Sequence, residues 1–390
     1  MTHYTLIATS SFGLESVVAE ELRNLGYQAL TVENGKITFK GKAEDIARCN
    51  IWLRAADRVL IKMAEFKATD FEELFQGTLN IMWEDIIPAD GKMHVIGRSV
   101  QSKLASIRDC QAIVKKSIIK AMNRKYHLAK FPETGSLYKI EISLLKDMAT
   151  IAVDTTGQGL HKRGYREEAG EAPLRENLAA ALVLLSRWNP DRILADPLCG
   201  SGTIPIEAAL IGRNIAPGIK RSFVSESWQN IPKKIWDEAR LDARTKENNV
   251  TFRILASDND GLVLKKAREN AVKAGVGDFI AFQRLSVEEF RSHKKYGCIV
   301  CNPPYGERLC DSKEVGRLYR SMGQALLHLN TWSLFILNAH PGFEMLFGRK
   351  SNKNRKLYNG DIKCYLYEYF GPLPPKKSGD EGMKVLRSFC

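Results

Sequence analysis

The pattern from Met1 to Ser10 is that of a strand, read over residues 4–9. The spacing then lengthens. Leu14, Val17, Val18, Glu21, Leu22 and Leu25 fall at i, i+3, i+4, i+7, i+8 and i+11, which sets one mostly apolar stripe along a helix, and Gly26 stops it. Strands at 28–32 and 36–40 flank Asn34-Gly35, a dipeptide that favours a tight hairpin turn. A helix over 43–54 and a strand over 58–66 complete a strand-helix-strand-strand-helix-strand order, the ferredoxin-like split pattern.

Residues 69–154 predict two helices and three strands: a short helix from Phe71, a strand through 93–96, a helix over 108–126, and strands at 138–144 and 149–153 joined by a Lys146-Asp147 turn. The long helix is expected to turn Ile113, Val114, Ile118 and Ile119 inward and to show Arg108, Lys115, Lys116, Lys120, Arg124 and Lys125 largely outward, a solvated face or an RNA contact. From about Gly157 the order changes. Strands at 192–196, 253–258, 279–283, 298–301 and 333–337 alternate with helices, which argues for a parallel, doubly wound sheet. Between the first two lies a long segment, 213–249, rich in Trp, Lys and Arg, and 372–382 reads as a Pro/Gly/Lys-rich mobile tail. The expected organisation is therefore α+β over 1–67 and 68–155, then an α/β region over 156–390. A sheet with its own core predicts that the last region folds independently.

Composition narrows the class. Of 390 residues 44% are hydrophobic and 26% charged, a globular profile. No apolar run has the length of a membrane span and no signal-peptide core precedes the first strand, so a cytoplasmic protein is expected. Eight cysteines in such a compartment do not make a disulfide framework. Cys298 and Cys301 have C-x-x-C spacing, but the run is apolar and no second pair exists, so a buried strand and no metal are expected. Fifty-eight Lys and Arg stand against 45 Asp and Glu, a net +13, which favours a polyanionic partner.

Three places carry chemistry. Residues 196–203, Asp-Pro-Leu-Cys-Gly-Ser-Gly-Thr, lie where a strand becomes a helix, the ligand position of open α/β sheets. Asp196, Cys199, Gly200, Gly202 and Thr203 are the cofactor candidates there, because the glycines admit close backbone approach. No phosphate-loop lysine and no G-x-G-x-x-G are present. Asp258 and Asn259 end the next strand; Asp258 is assigned to the hydroxyls of a ribose, and Asp260 to the cap of the following helix. Asn302-Pro303-Pro304-Tyr305-Gly306 follows the buried strand at 298–301. Two prolines freeze the backbone and remove two donors. That rigidity suits alignment of a conjugated amine: the Asn302 side-chain oxygen and the Pro303 carbonyl each accept one N–H, and fixed acceptors stabilise positive charge developing on nitrogen. Tyr305 offers a ring for a base to stack on.

With these residues in place, 196–203 and 302–305 resemble motifs I and IV of amino-methyltransferases with the class I, Rossmann-like fold. Residues 160–166, Leu-His-Lys-Arg-Gly-Tyr-Arg, and 172–178, Ala-Pro-Leu-Arg-Glu-Asn-Leu, are similar to the segment preceding motif I in THUMP-domain RNA methyltransferases. The nearest resemblance is to the large-subunit ribosomal RNA guanine-N2 methyltransferases, including the N-terminal enzyme of the fused bifunctional form, and it covers nearly the whole chain. It implies a ferredoxin-like domain and a THUMP domain for RNA ahead of a catalytic domain, S-adenosylmethionine as cofactor, and N2-methylation of a guanine in 23S ribosomal RNA. The fused form's second methyltransferase domain is absent, so one activity is expected. The resemblance adds Arg163 and Arg166 as RNA contacts. Where such enzymes often place an acid against the adenine edge this chain reads Arg-Leu-Ser-Val-Glu at 284–288, which makes Ser286 the candidate for that contact. The basic run at 349–356 has five cations and no acid; read as a loop before a strand at Tyr358, it offers Lys353, Arg355 and Lys356 to RNA phosphates. Other readings are methylation of a protein glutamine amide or of adenine N6, and, as a different class, a non-catalytic RNA-binding factor.

Overall fold

The computed structural model describes residues 3–128, 130–166, 174–305 and 312–375. Ala172, Pro173, Gly306 and the tail beyond Pro375 lie outside them.

The first region follows its pattern: β1 (Tyr4–Thr9), α1 (Glu15–Asn24), β2 (Thr31–Glu33), β3 (Lys36–Gly41), α2 (Ala43–Trp52) and β4 (Arg58–Lys67). β1 pairs antiparallel with both β3 and β4. Gly35 takes φ +75° in the hairpin turn, a conformation glycine adopts without strain. Glu21 sits within the apolar stripe of α1 because its carboxylate accepts the Arg54 and Ala55 amides at 2.7 and 2.9 Å; burial still pushes its pKa up.

The second region adds α3 (Phe71–Leu79), β5 (Lys92–Val100), α4 (Ile107–Tyr126), β6 (Leu137–Leu145) and β7 (Met148–Asp154). Lys146 and Asp147 close the β6–β7 turn at φ +50° and +64°. In α4 the buried stripe is Cys110, Val114, Ser117, Ile118 and Ala121, whereas Ile119, expected inside, is 37% exposed. Ser117 makes this stripe possible by donating its hydroxyl to the Phe75 carbonyl at 2.7 Å. The two regions do not form separate sheets. β7 pairs antiparallel with β4 from Leu60↔Asp154 to Lys67↔Met148, so one seven-stranded sheet runs β2-β3-β1-β4-β7-β6-β5.

The third region contains α5 (Glu176–Leu185), β8 (Leu194–Asp196), α6 (Thr203–Gly212), α7 (Lys233–Thr245), β9 (Ile254–Asp258), α8 (Gly261–Ala274), β10 (Ile280–Arg284), β11 (Cys298–Cys301), α9 (Ser312–Leu326), β12 (Ser333–Asn338), α10 (Phe343–Phe347), β13 (Lys353–Asn359) and β14 (Ile362–Tyr369). Its sheet runs β10-β9-β8-β11-β12-β14-β13. β8 to β12 are parallel, and β14 turns antiparallel against β12. This is the Rossmann-like, doubly wound arrangement. The second half of the basic run expected as a loop is strand: residues 353–359 form the edge, where lysines are common because they discourage further pairing. Cys298 and Cys301 both lie in β11 and pack into different apolar clusters, as residues of opposite parity on a strand must.

The halves share a core. One apolar cluster runs through Leu6, Ile51 and Ile61 to Leu178, Ile204 and Leu337. The Trp-rich segment before β9 is the wedge between them: Trp228 stacks on Tyr138 with centroids 4.6 Å apart and donates to the Leu137 carbonyl at 3.0 Å. The Gly218 amide donates to the Ile51 carbonyl at 2.9 Å, and Asn177 to the Asp57 carboxylate at 2.8 Å. A shared core does not favour the independent folding expected for the third region. No described helix is long and apolar enough to cross a membrane.

Candidate active site

The carboxyl ends of β8, β9, β10 and β11 lie side by side, and the loops leaving them carry the candidate residues. After β8, Asp196 is buried and its Oδ1 accepts the Leu198 amide at 3.2 Å. Burial raises its pKa well above the carboxylate range; the Leu198 bond opposes that and the charge of Asp258 adds to it. The chain then turns through Gly200 (φ +52°) and Gly202 (φ +83°). A Cβ on Gly202 would lie 3.1 Å from the Ala267 Cβ, so this glycine lets α6 start hard against α8. A Cβ on Gly200 would meet nothing within 4 Å. The loop therefore faces open space there while its other side is packed.

Asp258 ties this loop down. Its Oδ2 accepts the Gly200 amide at 2.9 Å and its Oδ1 the Asp260 amide at 3.0 Å. The carboxylate stays half-buried, with acceptor capacity left toward the open side. Asp260 caps α8 as expected, accepting from Leu262 and Val263 at 2.8 and 3.3 Å. The Cys199 amide donates to the Ser257 carbonyl at 2.9 Å, a second stitch between β8's loop and β9. The Cys199 thiol is buried, and burial together with Asp196 and Asp258 pushes its pKa up. Asn259 is exposed, its carbonyl accepting from Arg284 at 3.0 Å. Ser286 follows β10 one residue beyond Leu285, whose amide donates to the Asp258 carbonyl at 3.0 Å, so it stands beside the ribose candidate.

Asn302 leaves β11 with its Oδ1 buried and without a hydrogen-bond partner among the described residues. Such an orphan acceptor costs free energy unless something else donates to it. Pro303 is buried and Pro304 half-buried. The Tyr319 hydroxyl on α9 donates to the Pro304 carbonyl at 2.9 Å and lies 3.4 Å from Asn338 Oδ1. Asn338 ends β12, is fully buried, and accepts the His340 amide at 2.7 Å. Sequence reading passed over both residues. Asn338 carried a signal, a polar residue closing an apolar run at a strand end; Tyr319, on an amphipathic helix, carried none.

Tyr305 departs from its expected role. Its ring is 2% exposed, and its hydroxyl accepts from Asn359 Nδ2 at 3.3 Å and lies 3.4 Å from the Cys364 thiol. The rigid Pro303-Pro304 pair turns the side chain inward against β13 and β14, so no face of the ring is open for a base. Two basic candidates are corrected as well. Arg163 is 5% exposed, pairs with Glu207 at 3.4 Å, and donates to the Leu160 and Arg54 carbonyls. It binds the two halves together and has no surface to give RNA. Arg166 pairs with Glu176 at 2.8 Å and donates to Thr203 Oγ1 at 3.2 Å, so it braces the first turn of α6. Lys353 and Lys356 are exposed, whereas the Arg355 guanidinium donates to the Gly13 carbonyl and Ser16 hydroxyl, each at 3.3 Å.

Comparisons with known proteins agree with this architecture. The profile described as RMKL-like, methyltransferase domain matches residues 163–368. The profile of the RlmL ferredoxin-like domain matches residues 5–60 and that of the THUMP domain residues 68–154. A Bacillus subtilis (strain 168) protein named "Putative RNA methyltransferase YpsC" is 51% identical over 384 residues, covering 98% of this chain and 100% of that protein. The ribosomal RNA large subunit methyltransferase K/L of Syntrophotalea carbinolica is 33% identical over 96% of this chain, which spans 56% of that longer protein. The crystal structure of SMU.472 complexed with SAH is 45% identical, with a TM-score of 0.90 over 96% of this chain and 100% of that one. The chain belongs to the RMKL-like methyltransferase family, in the form that carries an RlmL-type ferredoxin-like domain and a THUMP domain ahead of the catalytic sheet.

Proposed function

We propose that the chain is an S-adenosylmethionine-dependent RNA methyltransferase whose target is the exocyclic N2 of a guanine in 23S ribosomal RNA. The observation that carries the amine chemistry is the buried Oδ1 of Asn302 at the carboxyl end of β11, without a hydrogen-bond partner among the described residues. The names of its relatives support the RNA substrate, and the SAH in the related SMU.472 structure supports the cofactor.

The residues present fit that cofactor. Gly200 opens onto free space, and the Asp258 carboxylate keeps acceptor capacity for ribose hydroxyls. Asp196, Cys199, Gly202 and Thr203 shape the same loop, and this reading gives the adenosine end to Asn259 and Ser286. S-adenosylmethionine supplies an activated methyl group on a sulfonium. The chain's task is then alignment. Asn302 Oδ1 and the Pro303 carbonyl accept the two hydrogens of the amine and direct its lone pair outward. Neither proline has an N–H to compete for those acceptors. Tyr319 fixes the Pro304 carbonyl and so the turn. Lys353 and Lys356 hold phosphates.

Transfer of labelled methyl groups from S-adenosylmethionine to RNA, DNA and protein, followed by nuclease digestion and mass spectrometry, tests this. N2-methylguanosine from large-subunit RNA is the expected product. N6-methyladenosine or methylated glutamine would replace the substrate, and a carbon- or ribose-methylated product would overturn the role given to Asn302.

A further inference from the structure

The loop between β1 and α1 meets the outer edge of the catalytic sheet in a cluster of rings and cations. Phe12 is 47% exposed. Its centroid lies 6.0 Å from that of Tyr358, with the planes 84° apart. Lys356 Nζ stands 5.6 Å from the Phe12 centroid and 5.4 Å from that of Tyr358. Across the ladder Tyr358 faces Lys363 and Lys356 faces Tyr365, and Lys363 lies 5.2 Å from the Tyr365 ring. No acid occurs between Arg349 and Gly360.

Packing alone does not explain the cluster. Gly13, at φ +89°, lies so close to β13 that a Cβ would come 2.4 Å from the Lys356 carbonyl oxygen. Arg355 grips both the Gly13 carbonyl and the Ser16 hydroxyl, and the Gly13 amide donates to Glu15 at 2.8 Å. These contacts fix the loop, and the ring beside them still projects into water. The place matters too. Asn359, the next residue after Tyr358, turns inward and donates to the Tyr305 hydroxyl, so the cluster sits on the rim of the turn that carries Asn302.

An exposed ring held rigidly beside a cation is what a nucleobase and its phosphate require: the base stacks whatever its identity, and the cation takes the charge. A paired base within a duplex offers no free face, so the shape fits an unpaired nucleotide. We infer that Phe12, Tyr358 and Lys356 form a stacking shelf for an unpaired nucleotide flanking the target base, built jointly by the N-terminal and catalytic regions. The inference rests on the RNA reading above. It adds single-strandedness of the flank and a ring from outside the catalytic sheet.

The test is fluorescence anisotropy of the full chain with labelled oligoadenylate of about 12 nucleotides and with an abasic strand of equal length and charge. The wild type should prefer the base-bearing strand. Phe12→Leu, which keeps apolar bulk, should lose roughly 5- to 150-fold of affinity for that strand and little for the abasic one. Phe12→Trp should retain the preference. Lys356→Gln should lower the salt slope on both strands by about one. Affinity for S-adenosylhomocysteine should be unchanged in all three variants. Phe12→Leu binding both strands like the wild type overturns the shelf and leaves the RNA reading standing, and assigns the cluster to protein contact or domain packing. A wild type that binds neither strand and methylates no RNA overturns the RNA reading itself.

Discussion

The Tyr319 hydroxyl holds the Pro304 carbonyl at 2.9 Å, so a side chain of α9 sets the turn that follows β11. Nothing else on α9 bonds that carbonyl among the described hydrogen bonds.

Tyr319→Phe removes this bond and leaves the ring in place. Losing one neutral hydrogen bond costs about 0.5–1.5 kcal/mol. If that cost falls on the aligned turn, kcat drops roughly 2- to 10-fold. Affinity for S-adenosylhomocysteine, measured by calorimetry, should not move. An unchanged kcat would make Tyr319 a packing residue only.

Asn302→Ala deletes the orphan acceptor. Removing one preorganised polar partner of a transition state typically lowers kcat by on the order of 10²- to 10³-fold. The turnover number should fall with cofactor affinity near normal. Equal losses in both would place Asn302 in binding and not in alignment.

Asp258→Ala should weaken S-adenosylhomocysteine binding by about 1.5–3 kcal/mol, the range for losing a charged hydrogen-bond partner. The same carboxylate anchors Gly200 at 2.9 Å, so the variant separates two contributions when compared with Asp258→Asn. The amide retains an acceptor for Gly200 but loses the charge. Unaltered affinity in both variants would move the ribose elsewhere.

Arg163→Ala leaves Glu207 buried without its cation, at 0% exposure. Breaking such a pair from one side costs about 3–5 kcal/mol. Chemical denaturation should show that loss, while the salt slope of RNA binding stays as it was. A changed slope with normal stability would return Arg163 to the RNA surface.

His161 is held neutral. Burial first, then the positive charges of Arg175, Lys162, Arg163 and Arg221, depress its pKa from 6.5 to about 4. A folded-state pKa below the unfolded one means that the folded form resists the proton. Its contribution to stability is complete above pH 6.5 and is lost as the pH falls toward 4. His161→Gln should flatten the acid limb of the melting temperature in that window. An identical limb would mean that other groups titrate there.

What the sequence made legible was local. Period and turn chemistry located β1, β3, the Asn34-Gly35 hairpin and the Lys146-Asp147 turn, because each depends on residues a few positions apart. The loops after β8 and β11 stood out for the same reason. The pairing of β4 with β7 did not, since alternation reports that a strand has a buried face and not which strand lies beside it. β13 was hidden by its lysines, which an edge strand tolerates and a loop also shows. Arg163 and Tyr305 were misjudged because their partners, Glu207 and Asn359, lie 44 and 54 residues away. A basic residue or a ring looks the same in sequence whether it faces water or a partner that folding brings to it.

β4 carries a ladder on each edge, to β1 on one side and to β7 on the other. Two recognition modules on a tether would search for their contacts one after the other. Two modules sharing a strand are a plate, and Trp228 and Arg163 bolt that plate to the catalytic sheet. β5, the outermost strand of the plate, is thereby joined to the sheet that carries Asn302 through paired strands and packed side chains. On the proposed reading, an RNA that touches both surfaces meets them as parts of one packed body and not as modules on a linker.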